Sequence, residues 1–153
     1  LQEVGIVNLP ATGKFVASDY FTTDSKEVKL TWLGDDFQQH FLRKVEEPQG
    51  EVELRVSQLK KVSLDAPILA ELGNKAETTL VTVWKLLRQQ PNGESGKLLT
   101  NGYANIFYVR DAKEVLWVVL AYWFGVGWHV DAYSVGHPHV ECLGGRRVFS
   151  SNS

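Results

Sequence analysis

The sequence has little of several features that would narrow its class at once. Its 153 residues include one cysteine, Cys142, and no methionine. A single cysteine excludes an intramolecular disulfide and a zinc site built from four cysteines. It fits a reducing compartment and so favours a cytoplasmic protein, although a secreted protein without disulfides would have the same composition. Because the chain starts at Leu1 and holds no methionine, we expect its native start to lie upstream or to have been removed.

The sequence also lacks an excess of either charge and a long apolar run. Sixteen lysines and arginines stand against eighteen aspartates and glutamates, a formal net charge of −2. Phosphate contacts supply most of the affinity of nucleic-acid-binding proteins, so this balance speaks against a nucleic-acid partner. The longest apolar run, residues 115–128, is shorter than the roughly 20 residues that a membrane-spanning helix needs. The sequence therefore predicts neither a nucleic-acid nor a membrane partner.

The composition that remains is that of a folded domain. Apolar residues make up 44% of the chain and charged residues 22%, both of which are ordinary for globular proteins. The length suits one hydrophobic core, and no internal repeat or low-complexity linker divides the chain. We therefore predict a single α+β domain over residues 1–153.

Hydrophobic periodicity predicts two helices in the first two thirds of the chain. Phe37, Phe41 and Val45 recur every four residues and predict an amphipathic helix of about three turns that ends at Pro48. A second helix is predicted from about residue 75 to 90. Its apolar residues have i, i+3, i+4, i+7 spacing: Leu80, Val83, Trp84 and Leu87. Asn74 and Glu77, three residues apart, predict a capping box at its start.

Alternating patterns predict the strands. In the first part of the chain they fall at 13–21, 26–33 and 51–62, and Val28, Leu30 and Trp32 of the second are expected on one face. Between residues 63 and 74, Pro67 argues against a regular helix and predicts a loop with one turn. From residue 98 onward, closely spaced strands predict an antiparallel meander whose middle strand, apolar on both faces, is covered by helices or by a partner subunit.

The predicted fold class follows from these elements. It is α+β, with two main helices packed on a mostly antiparallel, aromatic-rich sheet that ends in a C-terminal meander of three to four strands.

The segment GESGKLLT, residues 93–100, resembles the phosphate-binding loop of nucleotide-binding proteins in part. That loop needs a glycine five positions before its Gly-Lys pair and a serine or threonine directly after it, where this chain has Pro91 and Leu98. The predicted order also runs from helix to loop to strand, so no helix N-terminus would face a phosphate. We interpret the segment as a glycine-rich turn.

One stretch near the C-terminus contains several metal-ligating residue types. His137, His139 and Cys142 lie close together in sequence, and His129 and Asp131 precede them on a predicted strand. Imidazole and thiolate are ligands that suit zinc or copper. If the 137–142 loop folds back over the His129 face, the chain is a small metal-dependent or pocket-based enzyme with zinc as cofactor. If the loop only connects two strands, we expect no cofactor.

A second candidate site is aromatic. Tyr122, Trp123, Phe124, Trp128 and Tyr133 crowd one end of a predicted hairpin. Such clusters line apolar ligand pockets, form the centre of interfaces or simply fill a core. Our leading hypothesis is a non-enzymatic binding or protein-interaction module. We expect a protein partner or self-association as a homodimer, with a small apolar ligand as a further alternative. No catalytic residue is assigned.

Overall fold

The protein is an α+β fold built on one mixed, mostly antiparallel sheet. A computed structural model describes residues 1–136 and 144–152, and this part of the chain contains ten strands. They are β1 (Gln2–Leu9), β2 (Phe15–Val16), β3 (Leu30–Leu33), β4 (Val45–Glu46), β5 (Val52–Gln58), β6 (Glu77–Thr78), β7 (Asn105–Arg110), β8 (Leu116–Phe124), β9 (Gly127–Ser134) and β10 (Arg147–Ser151). The main sheet has the order β1-β5-β10-β7-β8-β9-β3, with β6 also paired to β7. Strands β2 and β4 form a separate pair.

Helices contribute to cores on both faces of this sheet. They are α1 (Ala17–Tyr20), α2 (Asp35–Phe41), α3 (Asp65–Leu72) and α4 (Leu80–Gln89), with a 3-10 turn at Gly73–Lys75. Side chains of α1, α2 and α4 join the larger core, and Ile68 of α3 joins a smaller core with Tyr108 and Val118 on the other face. In the described part of the chain, none of the helices has the length and apolarity that crossing a bilayer requires.

Helix α4 confirms the strongest helical pattern, but it starts later than predicted. Leu80, Val83, Trp84 and Leu87 are all buried. The helix begins at residue 80 and not near 75 because β6 takes up the preceding residues by pairing with β7. The predicted capping box does not form. Instead, the two oxygens of the Glu46 carboxylate accept the first two backbone N–H groups of the helix, each at 2.8 Å.

Helix α3 corrects the prediction of a loop with one turn between residues 63 and 74. Pro67 occupies the third position of this eight-residue helix. Its missing N–H is tolerated there because the first N–H groups of a helix have no partner within the helix. Ile68 is buried against the second face of the sheet. Packing therefore completes a helix whose local signal is weak.

The predicted three-turn helix is shorter in the structure. Helix α2 spans Asp35–Phe41 and buries Phe37 and Phe41, whereas Val45 lies in β4 and is 47% exposed. Of the strand predicted at 13–21, only Phe15–Val16 is extended, and α1 follows it directly. Strand β1 at the sheet edge was not predicted.

The C-terminal meander is confirmed for three strands. Strands β7, β8 and β9 are joined by antiparallel hairpins, and β8 lies between the other two. The last strand, β10, does not continue the meander beside β9. It inserts between β5, to which it is antiparallel, and β7, to which it is parallel. Both of its neighbours are distant in sequence, so short-range turn signals do not reveal this pairing.

Candidate functional site

Strand β9 separates core side chains from those of a partly exposed face. Trp128, Val130 and Ala132 are at most 1% exposed and belong to the larger core. His129 and Asp131 alternate with them and are partly exposed. Alternate residues of β9 therefore point to opposite faces of the sheet, with His129 and Asp131 on one and the three core residues on the other. Helix α3 packs on the same face of the sheet as His129, but it covers a different part of that face, over β7.

Four rings gather on this face where β8, β9 and β3 meet, and we call them the aromatic patch: Trp32, Tyr122, Phe124 and His129. The imidazole of His129 is central, since its centroid lies 5.6 Å from that of Trp32, 5.2 Å from Tyr122 and 5.5 Å from Phe124. Phe124 is 65% exposed and Trp32 is 41% exposed. The patch therefore presents a continuous aromatic surface to solvent.

Trp32 belongs to the patch because of a backbone irregularity that sequence reasoning missed. A register shift between Leu30 and Trp32 interrupts the pairing of β3 with β9. Leu30 lies opposite Trp128 and is buried, whereas Trp32 lies opposite His129 on the other face. A bulge adds one residue to a strand and so breaks its period of two. The prediction that Trp32 shares a face with Leu30 is therefore wrong.

The five aromatic residues singled out from the sequence divide between the two faces. Tyr122, Phe124 and Tyr133 lie on the side of the patch. Trp128 is fully buried, and its indole N–H donates to the Gln90 carbonyl at 2.7 Å. Trp123 packs edge-on against Trp128, with ring centroids 5.6 Å apart. These two tryptophans support the core beneath the hairpin.

Acidic groups border the patch along β9. The Asp131 carboxylate lies beside Gly34, where a Cβ atom would come within 1.9 Å of Oδ1, and it accepts the N–H of Ala132 at 2.9 Å. Burial, a hydrogen bond with Asp131 and the charges of Asp131 and Asp36 raise the pKa of Tyr133 to about 12. The negative charges of both carboxylates therefore reach the Tyr133 phenol, which stays protonated at neutral pH.

His129 itself is biased towards its neutral form. Partial burial lowers the pKa of its imidazole below the ordinary value, because a charged ring loses hydration there. At neutral pH the ring is therefore an uncharged member of an aromatic cluster. Burial, followed by the charge of Asp131, also raises the pKa of Tyr122.

The metal site predicted from sequence falls mostly outside the described residues. His137, His139 and Cys142 lie in the segment 137–143, and only His129 of the four candidate ligands is described. Within residues 1–136 and 144–152, no three His, Cys, Asp or Glu side chains gather as a metal site would require. The zinc hypothesis, and the enzyme that depends on it, stay predictions.

A second polar cluster surrounds Asp111, at the turn between β7 and β8. One carboxylate oxygen accepts the N–H groups of Lys113 and Val115 at 2.8 and 2.9 Å, and the other accepts the indole N–H of Trp117 at 2.8 Å. The His40 ring packs against Trp117 at a tilt of 31°, with centroids 4.4 Å apart, and its Nδ1 lies 3.7 Å from Asp111 Oδ2. Burial opposes ionisation of Asp111, but these hydrogen bonds and His40 together lower its pKa. The cluster holds the turn in place, and its carboxylate is already occupied.

No protein-family model, curated protein or solved structure matches this chain. Its function is therefore argued from the geometry of its own side chains.

Proposed function

We propose that this protein is a binding module and that the aromatic patch engages a partner protein. The proposal rests on the solvent exposure of the aromatic patch. The rings that pack around His129 leave Phe124 mostly and Trp32 partly in solvent, on the part of the sheet face that α3 does not cover. Exposed aromatic clusters mark interaction sites because burying them on binding releases much more free energy than burying polar side chains.

The acidic border of the patch indicates the chemistry of the partner. Asp131 lies two residues after His129 on the same face of β9, so its carboxylate borders the patch. Its charge raises the pKa of Tyr122, and together with Asp36 it raises that of Tyr133. A complementary surface would place an apolar or aromatic side chain on the rings and a lysine or arginine beside the carboxylates. A second copy of this chain fits less well, because a twofold dimer centred on the patch would bring two acidic borders together.

The experiment selects binders from a displayed random peptide library on the full chain and measures their affinity by calorimetry. We expect enriched peptides that combine an aromatic or aliphatic residue with a basic one. Phe124→Ser and Trp32→Ala should each weaken the best peptide by about 30-fold, the usual effect of removing a central aromatic contact. Val62→Ser is the matched control, since Val62 is 52% exposed and lies outside the patch.

Two results would overturn the proposal. One is a set of selected peptides that binds the patch variants and the wild type equally well. The other is a concentration-dependent dimer in sedimentation that Phe124→Ser abolishes, because the occupant of the patch would then be a second copy of the chain. Circular dichroism of both patch variants checks that they keep the fold, which exposed substitutions usually do.

A further inference from the structure

A cleft of about 530 Å³ opens on the other side of the molecule, between the sheet and the loop that follows α4. Val4 of β1 and Val56 of β5 form its apolar part. Its polar part is lined by Gln89, Gln90, Ser95, Gly96, Lys97 and Arg147. We call it the basic cleft, because lysine and arginine are the ionisable residue types that line it.

The two cations of the basic cleft are left without ionic partners in the described part of the chain. Three other arginines there are paired with glutamates, among them Arg55 with Glu3 at 3.0 Å and Arg110 with Glu77 at 3.0 Å, whereas Arg43 and Arg146 have no carboxylate within 4.0 Å among the described residues. No carboxylate of residues 1–136 or 144–152 comes within 4.0 Å of a side-chain nitrogen of Lys97 or Arg147. The acid nearest in sequence, Glu94, instead accepts the N–H of Asn92 at 2.6 Å.

Arg147 is held by the loop but is not satisfied by it. One of its terminal nitrogens donates to the Lys97 carbonyl at 2.6 Å, which fixes the guanidinium against the loop backbone. Its Nε is buried and meets no acceptor among the described residues. The Nε itself is closed off from the cleft, but Arg147 is partly exposed there, so its remaining guanidinium N–H groups are free to donate to an acceptor in the cleft.

The loop that carries Lys97 is fixed before any ligand arrives. The Gln90 side chain is 2% exposed, donates to the carbonyls of Glu94 and Leu98 at 2.6 and 3.0 Å, and accepts the N–H of Leu98 at 2.8 Å. Gly96 closes over this side chain, where a Cβ atom would lie 2.5 Å from its amide carbon. Three hydrogen bonds to one buried glutamine therefore fix the backbone around residue 97.

The ammonium group of Lys97 is placed by a second glycine. A Cβ atom on Gly5 of β1 would lie 2.9 Å from the Lys97 nitrogen, so the ammonium rests against the backbone of that strand. The ammonium therefore lies at the cleft that Arg147 also lines. This arrangement is unlike a phosphate-binding loop, because the segment 93–98 follows a helix and leads towards a strand.

We propose that the basic cleft binds a small phosphorylated molecule, whose phosphate group contacts Arg147 and Lys97. Two unpaired cations match the charge of a phosphate monoester, which is close to −2 at neutral pH. The guanidinium offers paired donors that suit phosphate oxygens, and the ammonium adds a point charge. A cleft of about 530 Å³ has room for an attached organic group as well.

The experiment titrates the full chain with O-phospho-L-serine at constant ionic strength and follows the Arg147 Nε–H and the Lys97 amide by heteronuclear NMR. We expect saturable shifts of both signals. Arg147→Gln and Lys97→Gln should each weaken binding by about tenfold, since each removes one charge-assisted contact. Lys61→Gln, at an exposed lysine outside the cleft, should leave the affinity unchanged.

Gly5→Ala provides a variant that keeps both charges. Its new methyl group meets only the mobile end of the Lys97 side chain, so the fold is expected to persist while the ammonium moves away and the affinity falls. The proposal is overturned if phosphoserine gives no saturable shift up to about 10 mM, or if Arg147→Gln binds as well as the wild type. Tighter binding of succinate than of phosphoserine would equally reject a phosphate ligand.

Discussion

The carboxylate of Asp111 allows a sharp test of how polar groups stabilise this fold. It accepts three hydrogen bonds of 2.8 to 2.9 Å, two from its own turn and one from Trp117. Hydrogen bonds to a charged group are worth about 1.5 to 3 kcal/mol each, though not additively. Asp111→Asn keeps one acceptor oxygen and turns an amide NH2 towards a donor. We expect it to lower the free energy of unfolding by about 3 kcal/mol.

The same substitution has a predicted pH dependence. Because the pKa of Asp111 is lower in the folded protein than its ordinary value of 3.8, its ionised form stabilises the fold. That contribution is complete above the unfolded pKa and is lost as the pH falls through the folded pKa. The difference in stability between the wild type and Asp111→Asn should therefore be largest near neutral pH and shrink below about pH 4.

Urea unfolding followed by tryptophan fluorescence measures both effects, with Asp24→Asn, at an exposed aspartate, as the control. For a chain of this size, a loss of about 3 kcal/mol corresponds to a fall in Tm of roughly 6 to 12 °C. The reasoning is refuted if Asp111→Asn costs less than about 1 kcal/mol at neutral pH. It is refuted as well if the cost is the same in acid as at neutral pH.

Two further predictions concern backbone groups. Glu46→Ala removes the acceptors of the N–H groups of Leu80 and Val81, so it should lower the free energy of unfolding by about 2 kcal/mol in urea titrations. An unchanged urea midpoint would contradict this capping role. Glu114 has a φ of 65°, a conformation that costs a residue with a side chain about 1 kcal/mol. Glu114→Gly should therefore raise the Tm in calorimetry, and a decrease would show that its side chain compensates.

Local patterns in the sequence were sufficient for the elements whose periodicity matches their burial. The apolar spacing of Leu80, Val83, Trp84 and Leu87 predicts α4, and the short links between β7, β8 and β9 predict their hairpins. Helix α4 starts at residue 80, later than predicted, because β6 pairs with β7, which is distant in sequence. Tertiary pairing of this kind leaves no periodic signal in the helix that it shortens.

The candidate sites were predictable only in part. Tyr122, Phe124 and His129 were singled out from the sequence, and the structure brings their three rings together. Trp32 was assigned to the opposite face, because a bulge reverses the side of every later residue without changing composition. The basic cleft was missed, since Arg147 and Lys97 meet only through the insertion of β10 into the sheet and the winding of a loop around Gln90.

The position of β10 has a consequence for how the protein is made. Strands β1 and β5 pair early in the chain, and β7, β8 and β9 pair late, but hydrogen bonds of β10 join these two groups into one sheet. A ribosome releases β10 after both groups, so until then one edge of β5 and one edge at the start of β7 have no partner strand. Such edges attract other strands, and closing them requires contacts between distant residues, which form slowly. We therefore expect nascent chains to be most prone to aggregation just before β10 emerges.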